Sequence, residues 1–402
     1  MRPVHVQAIS FSIQISAKRL NFNKKLVSSP TKSFQNVAHR NRQAASHPRD
    51  HDLCKLKLNR HIFRSNPTNI VKGPDTDSGA RQTDLADYNK ALDYLQSQGY
   101  NEIDTARTYV GGKQEAWTKD ARWKERGLTL ATKCYPHEPG MHKADSILAS
   151  LDKSLAELGT DCVDIFYLHA PDRSVPFTET LEAVNRAHKQ GKFVQLGLSN
   201  YTAFEVAEIV MHCKYNNWVR PTIYQGMYNA ITRSIERELI PVCRRYGLDI
   251  VVYNPVAGGI FSGKYKTSEV PTEGRYSDAV GKMGGMYRKR YFRDATFDAL
   301  RVIEPVVQKH NLTLIETALR WMVHHSGLNI KDGGNDGIII GVSSQQQLEG
   351  NLKDVEKGPL PEEVVKILDE AWLITCPTTP NYWHLDLKYT YDTYDALFGN
   401  KA

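Results

Sequence analysis

Ile165-Phe166-Tyr167-Leu168-His169 is an uninterrupted apolar run that ends in an imidazole. A strand with one face in water alternates apolar and polar residues, whereas a strand covered on both faces reads as a continuous apolar run. The same pattern recurs at Ile250-Val251-Val252-Tyr253-Asn254 and at Ile338-Ile339-Ile340-Gly341-Val342. Helical spacing fills the intervals. Leu85, Tyr88, Ala91, Leu92 and Leu95 fall on one face of 84–98 ahead of Gly99, and Ile147, Leu148, Leu151, Leu155 and Leu158 do so in 145–158 ahead of Gly159. The repeating unit is one strand and one helix, about 30 residues long.

Buried parallel strands alternating with helices leave two architectures, an open doubly wound sheet or a closed (β/α)8 barrel. A Rossmann-type site needs GxGxxG directly after an early strand, and the sequence has none. Nearly every expected strand ends in a polar or ionisable residue: Asp104, Lys133, His169, Asn200, Gln225, Asn254 and Ser343. A barrel gathers its active site at those C-terminal strand ends, so the expectation is an α/β protein with a (β/α)8 (TIM) barrel. Helical sequence is also expected over 113–126, and strands over 102–106 and 337–341.

The chain has 402 residues, 24% charged and 41% apolar, with a net charge of +7. The charge is uneven. Residues 1–72 hold 14 Lys/Arg against Asp50 and Asp52, whereas residues 73–402 hold 38 basic and 43 acidic side chains. Basicity confined to an arm removes most of the case for a folded nucleic-acid-binding surface. The expected organisation is a basic, disordered N-terminal extension over 1–72 and a barrel over 73–402. The barrel carries a Gly/Arg/Tyr-rich insertion at 257–294 and a C-terminal helix and tail at 361–402. The arm's composition suits a mitochondrial transit peptide, a disordered tail or a misjoined exon. Its 4–15 stretch alternates with period two, which suits a strand. No apolar run approaches the length of a membrane span. The six cysteines are scattered without CxxC or Cys/His metal spacing, so no metal site is expected and the thiols are expected reduced, in a cytoplasmic protein.

Three successive strand ends bring a carboxylate (Asp104), an amine (Lys133) and an imidazole (His169) to one mouth, with the phenol of Tyr109 in the loop after the first. A free tyrosine has a pKa near ~10 and is a poor acid at neutral pH; a cation beside it favours the phenolate. A buried lysine needs a counter-charge, which Asp104 can supply, and an imidazole can hold a carbonyl oxygen beside the phenol. Together they could place and protonate the oxyanion formed when hydride attacks a carbonyl. Singly, Asp104–Lys133 reads as a structural ion pair, His169 as a satisfied core histidine and Tyr109 as a loop aromatic. As a set, they read as a site.

The words NEIDTARTY (101–109), ATKCYP (131–136), DIFYLHAPD (164–172), GLSNY (197–201), YNPVAGGIFSGKY (253–265), ALRWMVHHS (318–326) and IIIGVSSQQQLEGNL (338–352) make the sequence resemble the aldo-keto reductases. The resemblance is strongest to their aflatoxin-aldehyde and succinic-semialdehyde reductase branch. It implies an NADPH-dependent aldehyde reductase with Tyr109 as proton donor, Asp104 and Lys133 tuning it, and His169 orienting the carbonyl. It further implies that Ser199, Asn200 and Gln225 hold the nicotinamide carboxamide, with Tyr253 near the ring. Asn254, Pro255, Gly258, Gly259, Gly263 and Lys264 would wrap the pyrophosphate, and Arg275, Gly341, Ser343, Gln347 and Asn351 would grip the adenosine end. Tyr287 and Arg290 match substrate contacts, and a cationic Arg290 suits an aldehyde that carries a carboxylate. The implied partner is a small aldehyde or ketone, with no nucleic acid and no membrane, and a homodimer is usual in the branch. Gly258-(x4)-Gly263-Lys264 also fits the start of a P-loop, but Tyr265 follows where a magnesium-binding hydroxyl is needed.

The sequence departs from the family pattern in two places. Counted from Gly73 the strands number seven, so the first is atypical or missing, and 68–73 or 4–15 must fill the gap. The family's arginine after Asn-Tyr-aromatic is His384 here, after Asn381-Tyr382-Trp383, which implies a weaker or pH-sensitive anion contact. Two other functions stay open: an NADPH-binding regulatory subunit of the potassium-channel β type, and a barrel inactivated by loss of its first strand.

Overall fold

The computed structural model describes residues 83–280, 282–330 and 334–399, together with the backbone of two earlier strands. Strand β1 (Phe11–Ile13) pairs antiparallel with β2 (Pro67–Ile70). Strand β2 pairs in parallel with β3 (Glu102–Asp104), Pro67 opposite Glu102 and Thr68 opposite Ile103. The ladder continues in parallel through β4 (Thr129–Cys134), β5 (Val163–Leu168), β6 (Phe193–Ser199), β7 (Pro221–Met227), β8 (Asp249–Tyr253) and β9 (Gly337–Ile338), each strand beside its predecessor in the chain. Among the described residues eight strands, β2 to β9, run parallel, in the order of a (β/α)8 barrel.

Helices α1 (Leu85–Ser97), α2 (Gln114–Asp120), α3 (Ala144–Leu158), α4 (Phe177–Lys189), α5 (Ala203–Tyr215) and α6 (Leu239–Tyr246) connect successive strands from β2 to β8. Helices α7 (Lys282–Tyr291), α8 (Asp294–Lys309) and α9 (Leu314–His324) lie between β8 and β9, and α10 (Gln345–Val355), α11 (Glu362–Thr375) and α12 (Thr393–Phe398) follow. The capping is local chemistry. The Asp84 carboxylate accepts from Ala86 N to start α1, and Thr202 and Glu205 form a capping box at α5. The apolar stripe of α1 buries Tyr88, Ala91, Leu92 and Leu95, and that of α3 buries Ile147, Leu151, Leu155 and Leu158, in one core between sheet and helices.

One expectation is met and three need amendment. The first strand is present but atypical: Pro67–Ile70, ahead of the Gly73 boundary, lies beside β3, and Phe11–Ile13 pairs with its other edge. Both stretches expected to fill the gap thus contribute strands, 67–70 the parallel one and 11–13, within 4–15, the antiparallel one. The rest of the basic arm, with its expected disorder, lies outside the described residues. The helix expected over 113–126 ends at Asp120, because Arg122 turns left-handed (φ 59°) and buried Trp123 donates from Nε1 to Leu158 O at 3.0 Å. The strand expected over 337–341 has only two residues, extended by one bond from Ile339 N to Val252 O. The 257–294 insertion contains α7. Cys134, Cys213, Cys243 and Cys376 are free, as expected; Cys162 differs, being disulfide-bonded.

No helix among the described residues is long and apolar enough to cross a membrane.

Gly197 in β6 faces Tyr167 across the ladder. A Cβ there would sit 2.3 Å from Tyr167 Cδ1 and 2.4 Å from Cε1. Gly197→Ala is expected to cost about 1–3 kcal/mol through overpacking, read from the urea midpoint. An unchanged midpoint would show that the Tyr167 ring can move aside.

Candidate active site

Inside the barrel Ala131, Ile165, Tyr167, Ile223, Val251 and Ile339 form a small apolar layer. Side chains alternate across a strand, so a residue two places further on points the same way. Two places beyond Ala131 is Lys133, beyond Tyr167 is His169, beyond Ile223 is Gln225, and beyond Val251 is Tyr253. The polar strand ends therefore stand one rung above the apolar layer, toward the C-terminal mouth. Asp104 joins them through its register with Ala131.

Lys133 and Asp104 are fully buried and form a direct ion pair. Lys133 Nζ also donates to Thr105 O at 2.8 Å and lies 3.5 Å from Tyr109 Oη. Burial pulls the lysine's pKa below its ordinary value, opposed by the charge and hydrogen bond of Asp104. The second Asp104 oxygen accepts from Gln225 Nε2 at 3.0 Å. Tyr109 opens a 3-10 turn (Tyr109–Gly112) in which Val110, Gly111 and Gly112 are left-handed, at φ 53°, 60° and 87°. A β-branched residue there costs of order 1–3 kcal/mol, the kind of strain that persists where surroundings enforce it. Arg107 enforces it: its Nη1 donates to Gly112 O at 2.9 Å and pairs with Glu115 and Glu157 at 3.0 and 2.7 Å.

His169 meets Tyr109 and Tyr135 edge-on, with ring centroids 5.7 and 5.3 Å away. Burial, with the Lys133 charge next, holds its pKa well below the ordinary value, so the ring is neutral at pH 7, and its buried Nδ1 has no hydrogen-bond partner. Asn200 Nδ2 donates to His169 O at 2.8 Å and to Ser199 Oγ at 2.9 Å, and Tyr253 Oη donates to Asn200 Oδ1 at 2.8 Å. Asp104, Tyr109, Lys133 and His169 are thus brought together, with Ser199, Asn200, Gln225 and Tyr253 bonded around them. Sequence reasoning missed Tyr135 and the Thr105 carbonyl. Tyr135 is two places past Lys133, so strand periodicity pointed to it.

The segment after β8 curls back on itself. Asn254, Ala257, Gly258, Gly259 and Gly263 have φ of 60°, 50°, 66°, 105° and 69°. Such runs turn backbone N–H groups into a concavity that suits phosphate. A Cβ on Gly258 would lie 2.8 Å from Tyr276 Oη and 2.9 Å from Tyr287 Cδ1, whereas one on Gly259 would meet nothing within 4 Å. The loop is packed behind and open in front, which fits a dinucleotide's pyrophosphate. Pro255 is buried beside it, and Lys264, exposed, lies 3.7 Å from Glu273. Ser343 donates from N and Oγ to Gln347 Oε1 at 2.7 and 2.8 Å around the start of α10, with Asn351 buried one turn on and Gly341 just ahead. Arg275 and Arg290 lie over the Tyr287 ring at 4.7 and 5.7 Å.

His384 lies with its Nε2 2.8 Å from Arg290 Nη2 and 3.3 Å from Tyr253 Oη. Burial, then the Arg290 charge, pushes its pKa down to about 3. The expected pH-sensitive anion contact is corrected accordingly: near neutral pH His384 is uncharged and accepts from Arg290.

The sequence profile of the Aldo/keto reductase family matches residues 72–373. An aldo-keto reductase of Pseudocercospora fijiensis is 43% identical over 298 residues, covering 73% of this chain and 99% of its own length. Aflatoxin B1 aldehyde reductase member 2 of Mus musculus is 43% identical over 299 residues (71% and 80%), and its Homo sapiens namesake 39% over 335 (80% and 92%).

Because the fold accommodates His384 in its neutral form, the stability it lends is complete above pH 6.5 and is lost as pH falls from there toward about 3. Between pH 7 and pH 4.5 the native protein is expected to lose roughly 2.5 kcal/mol more unfolding free energy than His384→Gln. Urea titrations at the two pH values measure this, and equal losses would contradict it.

Proposed function

As the chain belongs to the aldo/keto reductase family, we propose that it is an NADPH-dependent aldehyde reductase, acting on aromatic, dialdehyde or semialdehyde substrates. The observation that carries this reading is Lys133 Nζ, buried between Asp104 and the phenol of Tyr109. Aflatoxin B1 aldehyde reductases among the relatives support the substrate class.

When bound, the dinucleotide supplies the hydride. Ser199, Asn200 and Gln225 would hold its carboxamide and Tyr253 would flank the ring. Asn254 to Lys264 would take the pyrophosphate, and Arg275, Gly341, Ser343, Gln347 and Asn351 the adenosine end. Tyr109 Oη gives its proton to the substrate oxygen as negative charge develops there. The ammonium of Lys133 stabilises the phenolate left behind, and Asp104 keeps that ammonium aimed and compensated. Neutral His169 donates a hydrogen bond to the carbonyl oxygen and holds it beside the phenol. Tyr287 and Arg290 face the substrate, and Arg290 takes the carboxylate of an anionic aldehyde. The reading includes a homodimer in the cytoplasm, acting on small carbonyl compounds without a nucleic-acid or membrane partner.

Tyr109→Phe is expected to lower aldehyde turnover by about 10²–10⁴-fold, with NADPH binding, followed by tryptophan fluorescence, held within about twofold. Unchanged turnover overturns the mechanism. Lost NADPH binding would assign Tyr109 to cofactor binding instead.

A further inference from the structure

Arg173 touches none of the reacting groups, yet it ties the loop that follows His169 to the C-terminal segment. It is 5% exposed. Its Nε and Nη2 grip the two oxygens of buried Glu205 at 2.7 and 3.0 Å. Its Nη1 donates to three consecutive main-chain carbonyls, those of His384, Leu385 and Asp386, at 2.9, 3.3 and 3.1 Å. Thr390 N returns a bond to Arg173 O at 3.1 Å. Glu205 is satisfied further by Thr202 N, Thr202 Oγ1 and Tyr389 Oη.

Three successive carbonyl oxygens turned toward one point repel one another, and Leu385 bends left-handed (φ 63°) to allow it. A planar cation at the focus answers both costs, and lysine lacks the fork to serve Glu205 and the carbonyls together. The backbone so fixed is that of His384, whose N donates to Asn200 O at 3.1 Å and whose Nε2 is 2.8 Å from Arg290 Nη2.

We infer that Arg173 is a positioning residue for substrate choice: by fixing the 384–386 backbone it sets His384 as the acceptor that orients Arg290, and so favours aldehydes bearing a carboxylate over uncharged ones of the same length. This rests on the reductase reading and on Arg290 as its anion contact. An Arg173–Glu205 pair that merely held the fold would change stability without changing the preference.

The test compares kcat/KM for succinic semialdehyde and for butanal, with NADPH, in the whole protein. In Arg173→Lys the ratio is expected to fall about tenfold, chiefly through KM of the anionic substrate. In His384→Leu it falls comparably, and the double variant falls no further than the lower single one, because both changes break one linkage. If Arg173→Lys does not fold, the neutral pair R173Q/E205Q leaves no lone buried charge and is expected to show the same fall. An unchanged ratio, or losses that multiply to about 100-fold in the double variant, overturns the inference and leaves the reductase reading intact. A native enzyme that treats both aldehydes alike removes the anion contact and the inference with it. Reduction of neither aldehyde overturns the reductase reading itself.

Discussion

A protonated amine with no exposed surface survives in a protein interior only beside an anion, and the site here is arranged around that requirement. Lys133 and Asp104 meet at the ends of adjacent strands. At an effective dielectric near 20 a pair of unit charges about 4 Å apart is worth roughly 4 kcal/mol, while either charge left alone would cost several. The pair therefore constrains the register of β3 against β4 as firmly as apolar packing does. Gln225, from the opposite part of the ladder, closes on the second carboxylate oxygen. Once the pair is fixed, the phenol of Tyr109 has one cation to approach, and the Arg107-braced turn brings it there.

The barrel separates its duties by height. One rung of inward side chains is apolar and small, and the next is polar, on the same strands and the same face. The outward residues of those strands belong to a different core, against the helices. Changes in the outer core alter stability with little direct effect on the mouth, whereas a two-residue slip of β4 would put Ala131 where Lys133 stands.

Much of this was legible in the sequence because strand ends are local signals. Asp104, Lys133 and His169 each close an apolar run, and period-two counting places them on one face. The left-handed turns at Gly258 and Gly259 were legible as glycines. Other features were not. Two-residue β9 depends on a partner strand rather than on its own Ile338-Ile339-Ile340 pattern, and Arg122 ends its helix because Trp123 finds a bond on α3, which lies 35 residues away in sequence. The neutrality of His384 follows from burial beside Arg290, and nothing in the local word Asn-Tyr-Trp-His encodes that. Arg173 reads as an ordinary loop arginine until the C-terminal segment folds over it.

The strand beside β3 lies at Pro67–Ile70, whereas the family likeness begins at residue 72. The boundary of homology and the boundary of the sheet therefore differ by a few residues in an unhelpful direction. A protease cut or an alternative start at residue 72 would keep every recognisable family word and every candidate catalytic side chain. It would also strip the cover from Glu102–Asp104, the strand that carries the site's carboxylate, and offer its bare amides to the edge of another molecule. For this chain the shortest product that resembles its relatives would be prone to self-association, with the damage beginning at Asp104.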